Sequence, residues 1–202
     1  MNQSTILIVP GRGNSEPGHW QSILEAKSPG ARRVEQAWHT PVLETWGRNI
    51  DCAVRESASP PLVVAHSFGC LALAYAQIVL GTPVGASLFV APADPGRFGL
   101  PRPLFAEVLT APGMLVASEN DPWMSLADAL GLAEDWGLDG INLGCAGHIN
   151  QASGYGPWPL GEALADTLLA ELAQSSQPAP SSIRRLTGAG PRRQSGSACY
   201  FS

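Results

Sequence analysis

The chain has 202 residues, 45% of them hydrophobic, and a net charge of −5, so one domain with a packed core is expected. That charge argues against a nucleic-acid surface. The four cysteines, Cys52, Cys70, Cys145 and Cys199, show no paired spacing, and the four histidines lack metal spacing, so neither a metal nor another cofactor is expected.

Apolar and helical patterns alternate along the chain, which predicts an α/β fold with a mostly parallel sheet and helices on both faces. A first strand is predicted over Thr5–Val9, opening into the glycine-bearing loop Pro10–Ser15. The loop does not complete G-x-G-x-x-G, because Glu16 stands at the third glycine position. A helix starts near Pro17 or His19 and stops before Ser28-Pro29-Gly30, and a short extended piece follows around Arg33–Glu35. Val42–Glu56 has the spacing of an amphipathic helix, with Val42, Leu43, Trp46, Ile50 and Val54 near one face.

A strand over Leu62–Ala65 then runs into a helix over Phe68–Leu80. This stretch is apolar enough to suggest a membrane span, but His66, Ser67, Gly69 and Gln77 interrupt it, so a buried strand and helix explain it better. Strands follow at Ala86–Val90 and Met114–Ala117, then a helix over Trp123–Trp136, a strand at Gly140–Leu143 and a last helix over Leu160–Leu172. The long Ala91–Gly113 loop is read as a crossover with one short helix near Leu104–Leu109, or as a small lid.

Ala65-His66-Ser67-Phe68-Gly69 carries the chemistry. A serine on a sharp turn between strand and helix is a nucleophile elbow, here with Ala65 in place of the usual first glycine of G-x-S-x-G. A hydroxyl becomes nucleophilic when a base takes its proton, and the base is usually a histidine held by a carboxylate. In the order Ser, Asp/Glu, His, only His148 follows Ser67 among the four histidines. His66 adjoins the serine and is read as a structural neighbour. Asp121, in the loop after Met114–Ala117, is the favoured acid; Asp94 is the runner-up and Glu119 third. The oxyanion hole is assigned to backbone N–H groups of Phe68, which follows the serine, and Arg12, with Gly11 and Gly13 as alternatives. Cys145 lies near His148 as a candidate nucleophile, but Ser67 already holds the elbow.

Val9-Pro10-Gly11, Gly13-Asn14-Ser15, Pro17-Gly18-His19-Trp20, the elbow, Val90–Pro95, Ala117–Pro122 and Gly147-His148-Ile149-Asn150 resemble, in order, the RBBP9/YdeN-type serine hydrolase family of the α/β-hydrolase superfamily. The resemblance spans about Thr5 to Leu172. It implies a compact hydrolase with no large cap domain, and it puts Ser67, Asp121 and His148 in the nucleophile, acid and base roles. His39 stands where the family often has an aspartate. The family includes a retinoblastoma-binding member, but no L-x-C-x-E motif occurs here, so that partner is unsupported and a protein partner remains unassigned.

The predicted activity is therefore cleavage of small ester or related acyl substrates. A catalytically idle fold serving as a protein-binding module is the alternative. Met1-Asn2-Gln3-Ser4 has no basic start, so a cytoplasmic location without membrane or nucleic-acid partners is expected. The domain is placed at 1–173 and a disordered tail at 174–202, where Ser, Pro, Gly and Arg dominate. The tail holds four arginines and no acid; removing those four charges from −5 leaves the rest of the chain at −9. Such a composition cannot offset an ordering entropy of about 1–2 kcal/mol per residue. Deleting residues from Ser176 onward is expected to leave thermal stability and ester hydrolysis nearly unchanged. A large loss of either would show that the tail docks on the body.

Overall fold

The computed structural model describes residues 5–175, and the expected tail beyond Ser175 lies outside them. Six parallel strands form one open sheet: β1 (Ile6–Val9), β2 (Arg32–Arg33), β3 (Leu62–His66), β4 (Ala86–Val90), β5 (Gly113–Ala117) and β6 (Asp139–Asn142), in the order β2-β1-β3-β4-β5-β6. Five helices connect or follow them: α1 (Trp20–Lys27), α2 (Leu43–Arg55), α3 (Phe68–Leu80), α4 (Leu126–Trp136) and α5 (Pro159–Ser175).

Strand alternation sorts the core into two layers. Leu7, Val9, Val63, Ala65, Phe89, Leu115 and Ala117 face α2, α3 and α4. Ile6, Ile8, Leu62, Val64, Leu88, Val90 and Val116 face α1 and α5. Because both faces are covered, the central strands read as continuous apolar runs. Helix α2 buries Leu43, Trp46, Gly47, Ile50, Ala53 and Val54, the stripe its spacing predicts. Helix α3 is apolar nearly all round because it lies at the centre of its layer, and it ends at Gly81 in the left-handed conformation that releases a chain from a helix. The apolar stretch 62–80 is thus a buried strand followed by a buried helix. No described helix is long and apolar enough to cross a membrane.

Several ends shift from the sequence expectation. The strand around Arg33–Glu35 is only Arg32–Arg33, pairing with Leu7 and Ile8. Helix α4 begins at Leu126, not Trp123, because Ser125 caps it by accepting from the Asp128 N–H. Helix α5 runs through Gln174 and Ser175, past the expected end at Leu172. The 91–113 segment carries two short 3₁₀ turns, Pro95–Phe98 and Arg102–Phe105, in place of a helix near Leu104–Leu109. It adds no separate cap domain.

The strand order reverses between β1 and β3: the chain builds outward from β1 to β2, then returns past β1 to build β3 through β6. A crevice opens at such a point, beyond the carboxyl ends of the strands. The loop after β1 and Ser67 after β3 flank it. Here Gly69 lets α3 start against the end of β1. A Cβ on Gly69 would stand 2.5 Å from the Val9 carbonyl oxygen and 2.6 Å from that of Pro10. Backbone atoms cannot swing aside as a side chain can. Gly69→Ala is expected to destabilise the fold by about 2–3 kcal/mol. An unchanged urea midpoint would show that the two backbones separate at little cost.

Candidate active site

Ser67 occupies the turn between β3 and α3 with φ 55° and ψ −124°, a conformation L-residues rarely adopt. Such strain costs about 1–3 kcal/mol and persists only where the surroundings over-determine it. Three backbone hydrogen bonds do so. Ser67 N–H donates to the Val90 carbonyl (3.1 Å), while the Ser67 carbonyl accepts from Cys70 N–H (3.0 Å) and Ala93 N–H (3.2 Å). Gly11 closes the other side, since a Cβ there would come within 2.7 Å of the Ser67 Cβ.

The structure brings Ser67, His148 and Asp121 together from the loops after β3, β6 and β5. His148 Nε2 lies 3.0 Å from Ser67 Oγ, and His148 Nδ1 lies 2.8 Å from Asp121 Oδ2. A carboxylate oxygen only accepts, so Nδ1 carries the ring proton and Nε2 offers its lone pair to the hydroxyl. The His148 and Asp121 side chains are 9% and 3% exposed. The other Asp121 oxygen accepts from Trp123 N–H (2.8 Å), which fixes the carboxylate.

The competing acids are engaged elsewhere. Asp94 caps the Pro95–Phe98 turn by accepting from Gly96 N–H (2.8 Å). Glu119 accepts from Asn142 Nδ2 (2.9 Å). Cys145 is exposed, with Sγ 3.8 Å from Glu119 Oε2, and Cys70 is buried, which pushes its thiol pKa up. For the oxyanion groups, Gly13 N–H already donates to the Trp38 carbonyl (2.9 Å). Phe68 opens α3, whose first N–H groups have no intrahelical partner, and Arg12 lines the crevice beside Ser67. No group of His, Cys, Asp or Glu among the described residues is arranged to hold a metal.

Several residues of the quoted motifs support His148 from beneath, through contacts that the motifs do not reveal. Its N–H donates to Ser153 Oγ (3.1 Å), Gly147 N–H donates to Asn120 Oδ1 (2.7 Å), and Ser118 Oγ accepts from Ala146 N–H (2.9 Å). Trp20 Nε1 reaches across from α1 to the Ile149 carbonyl (2.8 Å). His66 is more than a neighbour on the elbow: its Nε2–H donates to the His148 carbonyl (2.9 Å), and the two rings lie 4.9 Å apart. Serine, asparagine and histidine at loop positions are too common for spacing to reveal this network.

Two cavities meet at Ser67 and His148, sharing Arg12 and Asn150. One, of about 320 Å³, is bounded by Gly11–Asn14, His19, His66 and Gln151. The other, of about 530 Å³, is bounded by Ala93, Asp94, Arg97, Phe98 and Trp123. Trp123 is half-exposed there, beneath the Arg97 guanidinium at 5.3 Å.

A family model described as serine hydrolase matches residues 6–167. A solved structure described as a YdeN-like hydrolase of Pectobacterium atrosepticum is 34% identical, covering 82% of this chain and 92% of that one, with a TM-score of 0.76. The ydeN gene product of B. subtilis shares the fold at 18% identity, covering 83% and 99%, TM-score 0.69. An esterase domain from Rhodothermus marinus does so at 14% identity, covering 83% and 87%, TM-score 0.64. No curated protein matches the chain.

Burial, then the nearby Arg33 and His148, holds the His19 pKa down at about 4; burial, then His148 and His19, pushes His66 well below the usual histidine range. A histidine with a lowered folded pKa binds fewer protons than the unfolded chain. Its stabilisation is therefore complete above its unfolded value of 6.5 and is lost as pH falls towards 4. For His19 the loss is about 3 kcal/mol over that window. Unfolding midpoints in urea are expected to drop between these pH values. The drop should be smaller in His19→Asn, where asparagine still caps α1 and cannot titrate; an equal drop in both proteins would remove His19 as its source.

Proposed function

Because the chain belongs to the serine hydrolase family, we propose that it cleaves small ester or related acyl substrates through an acyl-enzyme formed on Ser67. The observation that carries this reading is the continuous hydrogen-bond chain Ser67 Oγ–His148–Asp121. Ser67 Oγ attacks the acyl carbon while its proton passes to His148 Nε2. Asp121 holds the proton-bearing Nδ1 and stabilises the imidazolium that forms. The oxyanion is met by the N–H groups of Phe68 and Arg12. His148 then gives its proton to the leaving oxygen while the acyl group stays on Ser67; water next adds to the acyl carbon, passing a proton to His148, and the Ser67–acyl bond breaks as that proton returns to Ser67 Oγ and the acid leaves.

The absence of a cap domain among the described residues supports a preference for short acyl groups, since no additional layer is present to bury a long chain. As α/β-hydrolase folds, the chain and its structural neighbours share a scaffold that hosts many substrates, so the ester class rests on the site and not on the fold.

Wild-type protein is expected to react with a fluorophosphonate probe, and Ser67→Ala is expected not to. Asp121→Asn should lower kcat on a short-chain ester by about 10⁴-fold with the fold intact, because the histidine loses the partner that sets its tautomer. Asp94→Asn should change kcat far less. Labelling that survives Ser67→Ala would remove the nucleophile, and the reverse ranking of the two aspartates would move the acid to the loop after β4.

A further inference from the structure

The smaller cavity beside Ser67 has two buried imidazoles in its wall, His19 and His66, which are 6% and 5% exposed. Their backbone partners settle both tautomers. His66 Nε2 faces the His148 carbonyl at 2.9 Å, and a carbonyl only accepts, so Nε2 bears the proton and Nδ1 is a bare acceptor. His19 Nδ1 faces the Gln21 N–H at 3.2 Å, and an N–H only donates, so Nδ1 is bare and Nε2 bears the proton. Both rings are neutral near pH 7, since burial lowers both pKa values. Their rings stand 5.1 Å apart, edge to face, with no hydrogen bond between them. Neither the His19 Nε2–H nor the His66 Nδ1 has a hydrogen-bond partner among the described residues.

The two rings of this wall thus offer one unpartnered donor and one unpartnered acceptor, with ring centroids 5.1 Å apart. A carboxylate would satisfy the donor but face the lone pair of Nδ1. An ammonium would satisfy the acceptor but face the N–H of Nε2. The two neutral rings themselves offer a charged group no counter-ion, the charged side chains of this cavity being Arg12 and Glu16. A hydroxyl uses both, because its oxygen accepts and its hydrogen donates. We propose that the cavity bounded by His19 and His66 is a subsite for a hydroxyl group carried by the substrate, whose oxygen accepts from His19 Nε2–H and whose O–H donates to His66 Nδ1. This deepens the reading of Ser67 as the nucleophile and rests on it. A site built to bond a hydroxyl discriminates strongly against an analogue that lacks it, because its own buried polar groups are then left unpaired.

The test compares esters matched in size. Hydroxyethyl butanoate is set against propyl butanoate, placing the hydroxyl on the alcohol side. Methyl hydroxybutanoate, with the hydroxyl on the β-carbon, is set against methyl isovalerate, placing it on the acyl side. In at least one pair kcat/KM is expected to favour the hydroxyl ester by about tenfold or more, with the ratio collapsing towards one in His19→Asn. Parity in both pairs, or a preference that survives His19→Asn, would overturn the proposal. A second arm needs no turnover: in Ser67→Ala, imidazole nitrogen shifts of His19 and His66 are followed on titration with the same esters. Shifts with a hydroxyl ester and not its alkyl match support the subsite, and equal or absent shifts reject it. If Ser67→Ala still hydrolyses the esters, the nucleophile reading fails and this second arm decides the subsite alone.

Discussion

The backbone of Ser67 sits at φ 55° and ψ −124°, and much of the molecule is arranged to hold it there. The strain points the hydroxyl out of the sheet edge instead of along the strand. It is tolerable because β3 and β4 anchor the turn on one side and α3 begins directly on the other, through bonds to Val90, Cys70 and Ala93. The close approach of two glycines completes the clamp. Gly11 lies against the serine, and Gly69 lies against the carbonyls that end β1. Ala65 in place of the usual first glycine fits the same clamp, since it is fully buried at the end of β3 with room for its single methyl.

The same edge of the sheet carries the other strained positions. The non-glycine residues with positive φ among those described are Asn14, Ser67, Ala91 and Ile149, in segments that follow β1, β3, β4 and β6. Parallel strands joined by right-handed crossovers bring these ends to one side, where the order reversal opens a crevice. Rigidity there has a chemical use. In the proposed mechanism an imidazole that meets a hydroxyl at 3.0 Å and a carboxylate at 2.8 Å tolerates little drift, and the Ser118, Asn120, Ser153 and Trp20 contacts remove that freedom from the His148 loop.

The polar groups around the site also divide the work electrostatically. Asp121 is the one carboxylate among the described residues bonded to His148, while Asp94 and Glu119, though nearby in sequence order, are tied to a turn and to Asn142. His66 and His19 stay neutral beside His148, so they line its cavity without adding positive charge that would oppose the imidazolium of the proposed mechanism.

The alternation of elements, the two-layered core and the order of Ser67, Asp121 and His148 were legible in the sequence, because each depends on local patterns: apolar periodicity, a serine between strand and helix, and an acid and a histidine just past strand ends. Phe68–Leu80 and Ala86–Val90 were readable to the residue for the same reason, since both are predominantly apolar runs that begin just after Ser67 and Gly85, and the helix stops at Gly81. Element ends governed by a single cap, such as Ser125 before α4, were not, because a serine signals a cap only once its backbone partner is in place. The 2.8 Å contact between Asp121 and His148, the bridge from His66 to the His148 carbonyl and the paired imidazoles in the cavity wall were decided by tertiary structure alone. Each joins groups dozens of residues apart in the chain, or turns on which ring nitrogen meets a donor and which an acceptor. No spacing encodes that, because it arises only when parallel strands bring their ends to a common edge.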